Sequence, residues 1–405
     1  TQPDKPVGRG LKTEAPPIPI EFEFQSYKAM EFEAQHPLIF FAFEGQSDPI
    51  IIASFLEVED MRQGIEKKRD VVDDMTHFFT LVRGEKRLPT ILVYVGQMWK
   101  RKRRHYKKHL EVGGIAFYRI LEVQMRNAVK KLRDMELTEA TIVLPSHFYP
   151  KNLKKDGRGE REEEVFAQKI VEAIVIENAP SSPYMSSQKP RIAKICFTHF
   201  GDHEQTATHF FNRAERNGVD IGEAVLETRQ LIVLPPSEKL PLALAERMLG
   251  AKIMPRSSTS PSWRSVKKHG YGSNVKASIV YGAEGLKKAG FGFIAAVGRG
   301  SSAEPCLLKL HYRPRRTKDD IKKIVLIGKG VTLDTGGLNL KTDGSIERMH
   351  YDMAGEATVA SVFRLAVKRN LPLEIIALLP LAENAIGPNS VRPHDVVTPY
   401  DGQST

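Results

Sequence analysis

The chain is 405 residues long, 41% apolar and 27% charged, with a formal net charge of +11. These values describe an ordinary soluble globular chain with enough residues for two domains and a large core. No apolar run approaches the roughly 18 residues of a membrane-spanning helix. The two cysteines, Cys196 and Cys306, sit in apolar strand-like runs, which argues against a disulfide scaffold or a cysteine-based zinc site and fits a reducing compartment.

In chain order, residues 1–20 hold five prolines and no apolar periodicity, and they read as a disordered or extended arm. The first residue is Thr. Together with the basic charge, that start points to removal of an organellar transit peptide and a location in the mitochondrial matrix; a cytoplasmic protein is the alternative. Residues 21–215 alternate strands and helices, the mark of an α/β domain with a largely parallel sheet. The expected strands are Leu38 to Phe43, Ile50 to Phe55, Thr90 to Val95, Thr141 to Leu144 and Ile192 to Phe197. Helical stripes run through Phe117, Leu121, Met125, Ala128 and Leu132, and through Val165, Ile170, Ala173 and Ile174. The segment Ala179 to Ser187 reads as a surface loop.

Within this domain Trp99, Lys100, Arg101, Lys102, Arg103, Arg104, His105, Tyr106, Lys107, Lys108 and His109 form a run with seven Lys or Arg and no acid. Such a run, with aromatics interleaved, can grip nucleic-acid phosphates and stack on unpaired bases of RNA or DNA. A solvated helix end or loop has the same composition. His203, Glu204 and His209 do not make a zinc-protease helix, because the second His must stand four positions after the first, where Ala207 stands.

Residues 216–405 read as a second α/β domain. A linking helix around Ile221 to Leu231 leads to a helix at Leu242 to Met248 and a Ser- and Pro-rich loop at 255–261. Strands are expected at Ile279 to Tyr281, Phe293 to Val297, Leu307 to Leu310, Ile324 to Ile327 and Ile375 to Leu379. A helix from Ala354 to Lys368 would pack Val359, Val362, Phe363 and Ala366 on one face. The fold class is therefore two α/β domains, each a mixed or mostly parallel sheet flanked by helices.

The stretch from Ile324 to Gly355 concentrates the chemistry. A β-branched run gives a short buried strand, and Gly328 and Gly330 break it into a loop carrying Lys329. Asp334, Lys341 and Asp352 follow, so two carboxylates and two amines gather among glycines that allow close approach of backbone and ligand. A solvated loop pairing lysines with aspartates would look the same. A P-loop is excluded, because Lys329 precedes Gly330 rather than Ser or Thr.

The run G-K-G-V-T-L-D-T-G-G-L-N-L-K, followed after ten residues by Asp352-Met353, resembles the metal-binding core of the M17 leucyl aminopeptidase family. The resemblance extends to Leu378 to Asn384, to Arg392 to Thr398, to Gly290 to Ser301 with Leu308 to Tyr312 (similar to a strand pair preceding the site), and to Thr228 to Leu231 with Pro235 and Pro241. It implies a peptide-hydrolysing domain with two divalent ions, Mn or Zn, in which Lys329, Asp334 and Asp352 are metal ligands. It also implies that Lys341 is a catalytic lysine and that Met349 lines the pocket for an apolar first side chain. A homo-hexamer is implied as well, with the amino-terminal domain positioning the subunits.

Departures accompany the match, among them Leu333 where the family usually has an aromatic. The family continues to an N-T-D-A-E-G-R motif, which supplies further carboxylate ligands and an arginine that holds a bicarbonate; this sequence stops at Thr405. Asp395 and Asp401 align with non-ligand positions and do not replace those carboxylates. In addition, Glu356 stands where the family has a small residue, favourable for the helix dipole but crowding the site. Two readings stay open: a metal-dependent aminopeptidase whose remaining ligands lie past Thr405 or on another chain, or a non-catalytic RNA- or DNA-binding or structural subunit. Loss of core packing would leave the isolated chain dependent on a partner to stay folded.

Overall fold

A computed structural model describes residues 20–26, 38–42, 76–83, 86–94, 110–144, 158–179, 184, 189–199, 204–253, 262–315 and 321–402. The chain divides into two compact units, Thr1–Glu223 and Ala224–Thr405. Each is an α/β unit built on a six-stranded sheet.

The first unit contains β1 (Glu21–Ser26), β2 (Leu38–Ala42), β3 (Thr76–Arg83), β4 (Lys86–Tyr94), α1 (Leu110–Asp134), β5 (Glu139–Leu144), α2 (Arg158–Asn178) and β6 (Lys194–His199). A long helix, α3 (Glu204–Val233), contains the division between the units. The strand order is β1-β6-β5-β2-β4-β3, parallel throughout except for the β3/β4 pair. The stripes expected from helical spacing are the buried ones: Leu121, Met125, Ala128 and Leu132 on α1, and Ile170, Ala173 and Ile174 on α2, are all fully buried. Gly218 of α3 lies against α2, where an added Cβ would stand 2.6 Å from the Val171 Cβ.

The second unit continues with α4 (Pro241–Leu249), β7 (Arg264–Val266), β8 (Val275–Tyr281), α5 (Ala283–Lys288), α6 (Gly292–Gly298), β9 (Cys306–Tyr312), β10 (Lys323–Ile327), β11 (Gly330–Asp334), α7 (Ala354–Lys368) and β12 (Glu374–Asn384). Proline at its first position and Gly250 at φ +63° after its end delimit α4. The sheet runs β10-β12-β9-β8-β7, with β11 also on β12. It is mixed: β10 and β11 run parallel to β12, whereas β12/β9, β9/β8 and β8/β7 are antiparallel. Its core joins Leu244, Met248 and Leu249 of α4, Ala357, Ala360, Phe363 and Ala366 of α7, and the inner faces of β8, β9 and β12. Cys196 and Cys306 are buried free thiols.

Several expectations need correction here. The run Phe293 to Val297 is not a strand but lies in α6: Ala295 and Gly298 face inward three apart, while Phe293 and Val297 are exposed. A short apolar run is ambiguous between the two periods, and alanine favours the helix. The segment Ile324 to Ile327 is a strand but not a buried one. Among the described residues it pairs on one edge only, with β12, so Ile324, Val325 and Ile327 are exposed, Ile327 at 69%. On α7, Val362 points outward at 47% exposure, one residue off the stripe that buries Phe363. The linking helix expected at Ile221 to Leu231 is part of the 30-residue α3. The expected strand Ile50 to Phe55, the loop at 255–261 and the run from Trp99 to His109 lie outside the described residues.

Lys329 does not sit in a loop that leaves the sheet. The chain passes from β10 to β11 along the same neighbour, Ile327 opposite Leu378 and Gly330 opposite Leu381, so Gly328 and Lys329 are a two-residue interruption in an edge strand. The interruption lets the first turn of α7 touch the strand backbone, and the amide of Glu356 donates to the carbonyl of Lys329 at 2.9 Å. A Cβ on Gly328 would stand 2.5 Å from the Glu356 Cα. One on Gly330 would stand 1.8 Å from Glu356 Oε2 and 2.5 Å from the Pro380 carbonyl. Gly330→Ala is therefore expected to destabilise the protein by about 1–3 kcal/mol through overpacking, read as a lowered urea midpoint at unchanged slope.

Candidate functional site

The contact between β11 and the segment before α7 brings the first pair of site residues together. The amide of Val331 donates to the carbonyl of Asp352 at 3.3 Å. With the backbones so held, Lys329 Nζ lies 2.5 Å from Asp352 Oδ2. Asp352 ends a short 3-10 turn, Met349–Tyr351, in which Met349 is half-buried.

The second pair lies at the other end of β11. Asp334 is its last residue, and the chain then turns sharply through Gly336 and Gly337, at φ +87° and +66°. A side chain at Gly336 would place its Cβ 2.3 Å from the Asn339 carbonyl, so the turn needs glycine there. The turn closes when the amide of Lys341 donates to the Thr335 carbonyl at 2.9 Å, and Lys341 Nζ comes within 3.1 Å of Asp334 Oδ2. The other carboxylate oxygen, Oδ1, accepts from Asn384 Nδ2 at 2.7 Å and from the Gly336 amide at 3.0 Å. Partial burial alone would raise the Asp334 pKa, but the hydrogen bonds from Lys341, Asn384 and Gly336 and the Lys341 charge outweigh it and hold the carboxyl below its ordinary 3.8.

Asn384 belongs to the run singled out in the sequence, but its role there had no signal. It sits opposite Asp334 in the parallel register of β11 and β12, and its carbonyl also accepts from the amide and hydroxyl of Thr335. A second residue without a sequence signal is Lys239, fully buried between α3 and the turn at Met349.

Glu356 does not crowd the mouth of the site. Its carboxyl is fully buried beneath Gly330, and neither oxygen has a hydrogen-bond partner. Burial pushes its pKa well above the ordinary 4.5, which favours the protonated form. Asp395 is committed elsewhere: its Oδ2 lies 2.6 Å from Arg299 Nη2 and accepts from the Arg392 amide at 3.0 Å.

Lys329 thus immediately precedes β11, Asp334 ends it, and Lys341, Met349 and Asp352 lie on the segments that follow it. Two carboxylates and an amine are suitable donors for a hard or borderline divalent ion. Among the described residues, no group of three or more His, Cys, Asp or Glu that could hold a metal ion occurs.

Residues 228–405 match the model of the cytosol aminopeptidase family, catalytic domain. That segment of the chain is thus similar to the family's catalytic domain. A probable cytosol aminopeptidase of Mycobacterium bovis BCG is 37% identical over 189 residues, which is 46% of this chain and 33% of that protein. The chain thus spans about a third of the length of the curated cytosol aminopeptidases it matches. Among solved structures, a mutant of tomato leucine aminopeptidase aligns with a TM-score of 0.69 at 17% identity, covering 96% of this chain and 68% of that one. The bottromycin maturation enzyme BotP in complex with Mn aligns with a TM-score of 0.61 at 21% identity, covering 92% and 64%. At these identities the likeness to solved structures is one of fold, and it extends beyond the matched catalytic domain to most of the chain.

Two expectations follow from the two carboxyls. Asn384→Ala removes one of the two donors to Asp334 Oδ1, so the Asp334 pKa should rise toward the ordinary value, followed by NMR titration of the carboxyl. The Glu356 carboxyl holds its proton to higher pH in the native protein than in the unfolded chain, so above the ordinary 4.5 the unfolded state binds fewer protons. Its contribution to stability therefore falls as pH rises from 4.5. Glu356→Gln should remove that slope from urea midpoints followed between pH 4.5 and 8.

Proposed function

We propose that the second unit is the greater part of a metal-dependent aminopeptidase domain that removes apolar residues from the amino termini of peptides. The observation that carries this reading is the gathering of Lys329 with Asp352 and of Lys341 with Asp334 at the two ends of one five-residue strand. It occurs within the stretch that matches the family's catalytic domain.

In this reading Asp334, Asp352 and Lys329 hold divalent ions, Mn or Zn, with further donors supplied from outside the described residues. When bound, the ions contribute Lewis acidity toward the peptide carbonyl. The chain's own residues do the rest of what is assigned here. Asn384 and the Gly336 amide keep Asp334 ionised and aimed. Lys329 offers its amine nitrogen beside Asp352 as a further donor. Lys341 donates to the oxyanion that develops on the carbonyl. Met349 offers an apolar surface to the first side chain of the peptide.

The test is hydrolysis of a Leu-initiated tripeptide by the full chain in the presence of Mn2+ and after chelation. Lys341→Ala is expected to lower kcat by about 10²–10³-fold with KM little changed, the usual effect of losing one oxyanion donor. A chain that neither binds Mn2+ nor releases leucine would overturn the reading.

A further inference from the structure

Lys239 is the one lysine among the described residues with no exposed surface. No ion pair among those residues neutralises it. Its ammonium donates to two backbone carbonyls, Ile232 at 2.7 Å and His350 at 2.5 Å, and the Met353 sulfur lies 4.0 Å away. Burial lowers its pKa from the ordinary 10.5 to about 8. A leucine or methionine would fill such a cavity without that cost, so the amine is there for its donors.

The local sequence explains the demand for them. The carbonyl of Ile232, in the last turn of α3, would ordinarily accept from the amide four residues on, but that residue is Pro236, which has no N–H. The chain then makes a 3-10 turn, Pro236–Glu238, closed by the Lys239 amide on the Pro236 carbonyl, and this turn aims the lysine inward. Its second acceptor, His350, is the middle residue of the 3-10 turn Met349–Tyr351. One residue after that turn comes Asp352, and one before His350 comes Met349. A turn of three residues holds itself weakly; at His350 it is tied to the end of a 30-residue helix through a single side chain.

We propose that Lys239 is a positioning residue: by bridging the end of α3 to the His350 carbonyl it sets where Met349 and Asp352 stand relative to Lys329. The claim about metal rests on the reading of Asp352 as a ligand. The claim about the turn does not.

The test therefore has two arms on the full chain. In Lys239→Met, which keeps the volume and removes the donors, amide hydrogen exchange across 347–353 is expected to speed up at least tenfold, with exchange in β9 and β12 unchanged. In parallel, Co2+ is used as a spectroscopic stand-in for the native ion. Its affinity should fall at least tenfold and its visible absorption bands should shift, a change in coordination that a merely looser fold does not produce. Unchanged exchange at 347–353 in a folded Lys239→Met overturns the proposal, whatever the metal does. Faster exchange with unchanged Co2+ affinity and bands also overturns it, because the turn would then not set the ligand. If the parent chain binds no Co2+, the metal reading of the site fails by itself, and the exchange arm alone decides whether Lys239 holds the turn. Should Lys239→Met not fold, Lys239→Arg, which keeps N–H donors in altered geometry, is read by the same two measurements. Parent-like exchange and Co2+ spectra would support donation to His350 as the requirement, and their loss in a folded Lys239→Arg would overturn it.

Discussion

The rest of the second unit depends on the direct approach of one backbone to another at Gly328–Lys329–Gly330. There the first turn of α7 rests on the interrupted edge strand, with the Glu356 amide on the Lys329 carbonyl and the Val331 amide on the Asp352 carbonyl. Peptide groups can meet in this way only where no Cβ intervenes, and both flanking positions are glycines whose Cβ would overlap Glu356. The consequence is chemical. Lys329 and Asp352, 23 residues apart in sequence, are held 2.5 Å apart.

The same approach sets two carboxyls in opposite environments a few residues from each other in the fold. Asp334 is given three donors, and its charged form is favoured despite partial burial. Glu356 is given none, and its neutral form is favoured. Burial alone would push both pKa values upward; hydrogen bonding to the charged form reverses that direction at Asp334 and not at Glu356. A carboxylate kept ionised and aimed is suited to a cation, whereas a protonated, unpartnered one is a stability cost that the packing around it offsets.

Three lysines of this unit show how far environment, rather than residue type, sets a role. Lys329 is exposed and paired with a carboxylate, and Lys341 is half-buried and paired with one. Lys239 is fully buried against carbonyls alone. The first two are placed by glycine turns and interruptions that are visible in the chain. The third is placed by the meeting of two 3-10 turns more than a hundred residues apart.

Much of this was legible from the residues alone. Helical spacing marked the buried stripes of α1 and α2 and the extent of α7, β-branched runs marked most strands, and the run from Gly328 to Asp352 marked the site, because these signals are local. What failed was non-local. Ile324 to Ile327 has the composition of a buried strand, yet its exposure depends on how many neighbours it pairs with. Phe293 to Val297 is short enough to suit either period, and it is a helix that buries Ala295 and Gly298. That Glu356 would lie buried and unpartnered, that Asn384 would orient Asp334, and that a lysine between prolines would support the turn at Met349 could not be read from sequence. Each depends on which distant backbone groups the fold brings within hydrogen-bonding reach, and tertiary packing alone decides that. The residue types and spacings determined which side chains were available for chemistry; the close contact of α7 with the broken edge strand decided which of them meet.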